Sequence, residues 1–384
     1  MKCFLIFANY ARPAYDGIAS LYVGRVIFIF NVNVTAVVPA RNEGGSIKAT
    51  IDSLKAQTVK LSRIIVVANN CTDNTAQIAR ENGVKVFEMM KNTQMKAGAL
   101  NYALEKILPA MPPQDCILIM DGDTTLAPTL VESCLACLAA NPMAGAVSGI
   151  FTARPTSSLL GMLQAMEFWR YRRQIFQNGM RAFVLTGTAS LFKAGALKAV
   201  KAARFKGTLP RSCGSYYDTI GRTEDNEMTL ALLTLGYDCL AADTFAQTDV
   251  MESPKKLFLQ RERWYNGALI NLKAYGKALP WYLRWVYWRQ QIGLFLSMIF
   301  LTLMLLTLLF CAIFGILQIT WLWLLLLGML AFERTATVWR LGVKARLIAL
   351  CVIPEQLYSI FLVFVFDVSL SHFLTNKKGG WHAT

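Results

Sequence analysis

The chain has 384 residues, 55% of them hydrophobic and only 16% charged, with a mean hydropathy of +0.39, a balance that excludes a wholly soluble domain and assigns part of the chain to lipid. Its 22 Phe, 13 Tyr and 9 Trp, without any low-complexity tract, exclude a disordered or collagen-like polymer. The net charge of +15, from 39 basic and 24 acidic residues, suits an anionic membrane surface or a phosphorylated substrate; nucleic acid is not the expected partner, because the basic residues gather beside apolar stretches and form no long run.

The N-terminal segment, 1–32, holds an apolar stretch from Ile18 to Phe30 that is interrupted by Arg25 and too short to cross a bilayer. Lys2 precedes only a brief apolar run, broken by Asn9, Arg12 and Pro13, so the segment reads as membrane-associated or packed rather than as a cleaved leader. From Asn33 short apolar runs alternate with amphipathic ones: VTAVVPA, a helix near 45–57, RIIVVA, a helix near 73–82, VKVFEM, and a helix near 95–107. This alternation predicts an α/β fold, a mixed and mostly parallel sheet with flanking helices. The fourth strand, CILIMDGD, ends in acids, and open α/β sheets bind ligands beyond the carboxyl ends of their strands. The strand-like GAVSGIFTA, a helix over about 157–180, the segment FVLTGTASLF and a helix starting near Glu224 complete a domain spanning 33–265 and supply the other side of a cleft.

Residues 266–291, with AYGKALPWYLRWVYWRQ, mix Trp and Tyr with Lys and Arg, the pattern of an amphipathic helix lying in the membrane interface. Apolar runs at 293–316, 317–332 and about 347–366 predict about three transmembrane helices within 292–370, followed by a tail, 371–384. The loop ERTATVWRLGVKAR carries four basic residues and one acid, which places it, and the catalytic domain with it, on the cytoplasmic side of a multi-pass integral membrane protein. Glu355 lies within the third run, and reads either as a pore or substrate contact or as an acid capped by protein.

Nine scattered cysteines, several in apolar runs, fit buried reduced thiols; Cys134 and Cys137 share a helical stretch with no second pair to complete a metal set, and read as core. Both histidines, His372 and His382, lie near the C-terminus. Proton abstraction in the 33–265 domain therefore falls to a carboxylate, and any metal to oxygen ligands.

Three acidic or aromatic elements carry the chemistry. Asp121 and Asp123 sit on a turn at a strand end, where two carboxylates can hold a hard divalent cation beside a diphosphate. Thr223-Glu224-Asp225 opens a helix, which reads as a cap with dipole-complementing acids and equally as a positioned general base. In Gln260-Arg261-Glu262-Arg263-Trp264, the indole offers a face to a sugar ring and a guanidinium can neutralise a diphosphate; an interfacial aromatic belt is the competing reading.

Together with VVPARNE, NNCTDNT and KAGALNYAL, these elements in this order resemble the family 2 inverting glycosyltransferases. More closely they resemble the membrane-embedded branch that includes cellulose, chitin, hyaluronan and poly-N-acetylglucosamine synthases. The resemblance covers roughly residues 34–275. It implies a GT-A fold, a UDP-sugar donor carrying glucose or N-acetylglucosamine, and Mg2+ or Mn2+ as cofactor. It further implies Asp123 on the metal, Asp121 near the donor ribose or the metal shell, and Asp225 as general base beside Glu224. Pro39, Ala40 and Glu43 would line the uracil and ribose pocket, with Lys96 and Arg263 at the diphosphate. Gly187, Thr188, Gln260 and Trp264 would border the acceptor. One departure lies at the second strand, where relatives carry an acid and this chain reads Ala68-Asn69-Asn70, so that a contact to the base falls to the amide of Asn69.

The activity implied is transfer of a sugar to a growing β-linked glycan, processive and coupled to membrane translocation. The alternatives are transfer of one sugar to a lipid acceptor and a glycosyltransferase-like scaffold without turnover. The implied partners are the UDP-sugar, a glycan or lipid acceptor and the bilayer; because three spans are few for a wide channel, a homo-oligomer is a further one.

Overall fold

A computed structural model describes residues 32–211, 214–316 and 320–375; the expectations for residues 1–31 and for the end of the tail fall outside the described residues. The run VTAVVPA lacks polar alternation because strand β1 (Val34–Ala40) is inaccessible along its whole length, as expected of a parallel strand covered on both faces. It lies inside an eight-stranded sheet ordered β3-β2-β1-β4-β7-β6-β8-β5. The other strands are β2 (Arg63–Asn69), β3 (Lys85–Met89), β4 (Cys116–Met120), β5 (Thr125–Leu126), β6 (Ala144–Ala153), β7 (Ala189–Lys193) and β8 (Asp238–Thr248). Strands β3, β2, β1 and β4 run parallel, β7 is antiparallel between β4 and β6, β8 is parallel to β6, and β5 closes the edge antiparallel to β8.

Alternate residues of the parallel strands point into two cores. Val37, Ile65, Ile117 and Ile119 pack with Leu100 and Leu104 of α3 (Met95–Ile107) and with Leu197 and Val200 of α6 (Ala194–Phe205). Val38, Val66, Leu118 and Met120 pack with Ile47 and Ile51 of α1 (Ile47–Lys55), and with Leu130 and Cys134 of α4 (Leu130–Ala140). Cys134 is thus a core residue, and all described cysteines are free thiols. The remaining helices of the sheet domain are α2 (Thr75–Glu81), α5 (Leu159–Gln177) and α7 (Glu224–Thr234). The β1–β4 ladder stops at Val37–Ile119, so Pro39, which has no N–H to give, sits where the two strands have already parted. That parting opens a crevice at the carboxyl ends of β1 and β4, where the strand order reverses direction.

The C-terminal half departs from the sequence expectation in its helix boundaries. The QRERW segment lies in the middle of α8 (Pro254–Tyr275), not ahead of a helix. After a break at Pro280, a single 33-residue helix, α9 (Trp281–Ile313), contains both the aromatic and basic stretch and the first apolar run. No separate interfacial helix exists there, because a change of composition breaks no backbone hydrogen bond, and no proline interrupts α9. The second run forms the 17-residue α10 (Trp321–Thr337), followed by α11 (Val343–Cys351) and α12 (Ile353–Leu374). Among the described residues, Phe295–Ile313 and Ile353–Leu374 are long and apolar enough to cross a membrane, by length and composition.

Helices α6, α7 and α8 meet at a buried charge. Arg204 and Glu227, both 0% exposed, pair at 2.6 Å, and the Tyr275 hydroxyl donates to the same carboxylate. Helices α7 and α8 cross at Gly267, where a Cβ would stand 2.5 Å from Oγ1 and 2.6 Å from Cγ2 of Thr223. A β-branched threonine has little freedom to give way.

Arg204→Met leaves the Glu227 carboxylate buried without its cation and is expected to lower stability by about 3–5 kcal/mol, read as the urea midpoint in detergent, with partial recovery in the R204M/E227Q double variant. Gly267→Ala is expected to cost about 1–3 kcal/mol by overpacking. By contrast Gly328→Ala on α10, where a Cβ meets nothing within 4 Å, should be neutral or stabilising in the same assay.

Candidate active site

The Asp121-Gly122-Asp123 turn leaves β4 at the crevice. Its middle carbonyl is held by the first turn of α1: the hydroxyls of Ser46 and Thr50 donate to Gly122 O at 3.2 and 2.8 Å. Glycine eases this approach, since a Cβ would lie tightly at 3.1 Å from Cβ of Ala40 and 3.0 Å from Cγ of Glu43. Ala40 and Glu43 therefore abut the turn, with Pro39 buried just behind them on β1.

Thr125 pairs with Gln247 in the antiparallel β5–β8 ladder, and continuing that register by two residues sets Asp123 opposite Asp249. Arg154 ties the two together, its guanidinium lying 3.1 Å from the Asp249 carboxylate and donating to the Asp123 carbonyl at 2.8 Å. Burial, followed by repulsion from Asp121, Glu43 and Asp249, pushes the Asp123 carboxyl up to about 7. Glu43 is raised too, again chiefly by burial, against a lowering hydrogen bond from Ser46 Oγ at 2.8 Å. Crowded carboxylates of this kind are relieved by a hard cation. No group of three or more His, Cys, Asp or Glu side chains among the described residues is arranged to hold a metal ion. The set fits instead a Mg2+-like or Mn2+-like ion that takes one or two carboxylates here and its other oxygens from substrate phosphates.

Lys96, on the first turn of α3, reaches across the crevice. Its ammonium lies 2.5 Å from Asp121 and 3.0 Å from Glu224. Burial works against its charge, but Asp121, Glu224 and Asp225 outweigh it and raise the pKa well above the ordinary lysine value. The reach of Lys96 is set by α3, which the buried Asn101 fixes through both amide ends to the backbone of Tyr217, at 2.8 and 2.9 Å. A web of amides fixes the loop before it. Asn69 Nδ2 donates to Met95 O at 3.2 Å and its Oδ1 accepts from Asn92 at 2.8 Å, while Asn70 exchanges hydrogen bonds with the Asn92 backbone. The Asn69 amide is thus engaged at both ends, which leaves one N–H and one oxygen lone pair for a contact to a base.

Glu224 and Asp225 open α7. Thr223 makes no side-chain cap; its hydroxyl instead accepts from Asn271 of α8 at 3.1 Å, and the Asn226 N–H donates to Asp225 at 2.7 Å. Burial and the adjacent Glu224 push Asp225 up to about 6, against the lowering influence of Lys96 and Arg263. Glu224 moves the other way: burial raises it, but Lys96 and Arg263 prevail and hold it below the usual carboxylate range. Gly187 lies between the two acidic elements, where a Cβ would stand 2.6 Å from Lys96 Nζ, 3.3 Å from Asp121 and 3.7 Å from Asp225. Lys96, Gly187, Glu224 and Asp225 line one cavity. Thr188, next in the chain, shares a hydroxyl hydrogen bond of 2.8 Å with Thr186.

Helix α8 brings up the last residues. Arg263 acts electrostatically on Glu224 and Asp225, enters none of the salt bridges among the described residues, and has its Nε buried without a partner. The Gln260 carbonyl is likewise buried and unpartnered. Trp264 is half-buried, with the Arg261 guanidinium 4.5 Å from its ring centroid. The structure therefore gathers Lys96, Asp121, Gly187, Glu224, Asp225 and Arg263 at one end of the sheet. Asp249 and Arg154 belong to it as well and were not anticipated, because only the pairing of the two-residue β5 brings them there.

Residues 35–201 match the family described as glycosyl transferase family 2. A poly-beta-1,6-N-acetyl-D-glucosamine synthase of Staphylococcus aureus (strain MSSA476) is 25% identical over 244 residues, which are 61% of this chain and 54% of that protein. The protein of the same name from Staphylococcus epidermidis is 26% identical over 235 residues, 59% of this chain and 52% of its own length. The chain thus spans about half the length of the curated relatives it matches. Among solved structures, a mannosyltransferase from Pyrobaculum calidifontis in complex with GDP-Man and Mn2+ superposes with a TM-score of 0.60 at 18% identity, covering 94% of this chain and 95% of that one. Over residues 35–201 the chain is thus similar to the family 2 glycosyltransferases, and its mixed, mostly parallel sheet has the GT-A fold.

Proposed function

We propose that this protein is a membrane-bound inverting glycosyltransferase that transfers N-acetylglucosamine or glucose from a UDP-sugar to a growing β-linked glycan. The observation that carries the reading is the position of Asp225. Its carboxylate shares the surroundings of Gly187 with Asp121 and Lys96, yet it makes no ion pair of its own among the described residues and its pKa lies near neutrality. A base so placed can take a proton from an acceptor hydroxyl directly across from the donor.

The divalent cation, Mg2+ or Mn2+, would be held by Asp123 and Asp121 and would neutralise charge on the donor diphosphate. The chain's own residues do the rest. Glu43, Ala40 and Pro39 wall the nucleoside side of the crevice, and Lys96 offers an ammonium to the diphosphate. Arg263, without a salt bridge of its own among the described residues, stabilises the departing UDP. Asp225 removes the hydroxyl proton as the acceptor oxygen forms its bond to the anomeric carbon and the bond to UDP breaks, so an α-linked donor yields a β-linked product. Gln260 and Trp264 orient the acceptor, the indole by stacking on a sugar ring, with Gly187 and Thr188 at its border.

The relatives named as poly-N-acetylglucosamine synthases support a glycan acceptor. A bilayer setting is supported by the two long apolar helices and by the first turn of α11, which meets the sheet domain where Lys344 donates to Ser157 O at 2.8 Å. Processive extension coupled to translocation belongs to the same proposal. Incubation with labelled UDP-N-acetylglucosamine and Mn2+ tests it: a ladder of products supports extension, a single lipid-linked product indicates one transfer to lipid, and no UDP release with any donor or metal overturns the assignment.

Asp225→Asn should abolish transfer while leaving UDP affinity within about two-fold, measured by calorimetry in Mn2+. In the wild type kcat/KM should fall as pH drops below about 6, where Asp225 takes up a proton and ceases to be a base. The same raised pKa means that the folded state holds this proton at a pH where the unfolded chain has lost it, so the ionised group costs stability above about 6. D225N should therefore melt higher than wild type at pH 7.5 and show little difference near pH 4.

A further inference from the structure

Trp264 is held from outside the acid cluster. Arg261, three residues before it on α8, covers one face of the indole, and is itself 4% exposed. Its two terminal nitrogens donate in parallel to the two oxygens of Glu167 on α5, at 2.8 and 2.9 Å. The hydroxyl of Tyr358, on α12, donates to the same carboxylate at 2.6 Å. Three residues further along α5, Arg170 donates at 2.9 Å to Glu355, three residues before Tyr358 on α12. Arg334 lies 3.6 Å from Glu355, which is 5% exposed. Glu355 is thus an acid capped by protein. Helices α5 and α12 are joined by two polar rungs, and only one of them reaches α8.

Apolar contacts already hold these helices together, since Leu163, Leu257 and Tyr358 form one buried cluster. A bidentate guanidinium–carboxylate pair adds what apolar packing does not, a fixed plane for the guanidinium. The indole lies against that plane, so its orientation follows the fork. Any sugar that stacks on Trp264 must use the face Arg261 leaves uncovered.

We propose that Glu167 and Tyr358 are positioning residues for Trp264, acting through Arg261, so that the C-terminal apolar helix α12 supports the acceptor site and sets how long a glycan stays bound between additions. This rests on the reading of Trp264 as the acceptor platform. The rung made by Arg170 and Glu355 joins the same two helices without touching α8, and separates positioning from simple attachment.

The test compares Tyr358→Phe, Glu167→Gln and Arg170→Gln in the full chain in detergent, with UDP-N-acetylglucosamine, Mn2+ and a β-1,6-linked N-acetylglucosamine pentamer as acceptor. Tyr358→Phe keeps the ring and its packing and removes only the hydroxyl. It and Glu167→Gln should raise the acceptor KM by about five-fold or more and shorten the product ladder, with donor KM and kcat within about two-fold. Arg170→Gln should lower the melting temperature and leave the acceptor KM unchanged. An unchanged acceptor KM in Tyr358→Phe and Glu167→Gln, or an equal rise in all three variants, overturns the positioning role alone. A wild-type protein that transfers no sugar to the pentamer or to any endogenous acceptor overturns the functional reading beneath it as well.

Discussion

A half-buried ammonium among carboxylates is the constraint on which the rest of this site depends. Asp121, Asp123, Glu43, Asp249, Glu224 and Asp225 approach from four separate segments, and such a gathering is unfavourable in a partly desolvated crevice. Lys96 offsets it by bridging Asp121 and Glu224, and Arg154 does so at the Asp249 edge. Much of the local sequence serves that arrangement. Gly187 leaves room for the lysine, Gly122 lets the aspartate turn sit against β1, and Asn101 sets the register of α3 so that Lys96 arrives at the acids. The parting of β1 and β4 beyond Val37 supplies the space in which these groups meet.

Helix α8 carries the site toward the apolar half of the chain. One of its faces crosses α7 at Gly267 and shares the buried charge of Glu227 through Tyr275, which fixes the start of α7 and hence Glu224 and Asp225. Another face packs along α12, where Asn266 donates to the Ser369 carbonyl and Glu262 lies between Arg222 and His372. Because one rigid helix makes both sets of contacts, the acids and the apolar helix cannot shift independently.

The parts of this architecture that were legible in sequence are those written in local pattern. Strands β1, β2 and β4 were readable because burial produces uninterrupted apolar runs, β3, a partly exposed edge strand, because its short VKVFEM segment stands between two helical ones, and the acids at the end of β4 because the run stops there. Helix α6, AGALKAVKAARF, lies between motif-bearing segments and drew no assignment; strand β8, with an exposed Asp243 in its middle, lacks a clean signal. Asp249 was invisible for a different reason, since its place beside Asp123 follows from a pairing between residues more than a hundred positions apart. Arg261 stood in plain view inside its pentapeptide, but its partner Glu167 is 94 residues away. Asn69 was read from its capacity to donate and accept; both capacities are engaged by the loop that precedes α3. The separate interfacial helix was inferred from a shift in composition, which reports the environment of a helix and not where its hydrogen bonds end.

Glu224 and Asp225 are adjacent in sequence and carry the same functional group, yet the fold drives their protonation apart. Glu224 points at Lys96 and feels Arg263, so its charge is compensated and its carboxyl is held below the usual carboxylate range. Asp225 is buried beside that negative charge, and Lys96, the Asn226 N–H and Arg263 offset the burial only in part, so its proton is held to about pH 6. Divergence between neighbouring titratable groups separates an anchoring role from a proton-handling one. An acid that is always charged can hold a lysine in place but is a poor proton acceptor, whereas one that titrates just below neutrality is ionised at working pH and still basic enough to accept a proton. The proposal of Asp225 rather than Glu224 as the base thus rests on where Lys96 sits, and Lys96 sits there because α3 is pinned by Asn101 and Gly187 leaves the space.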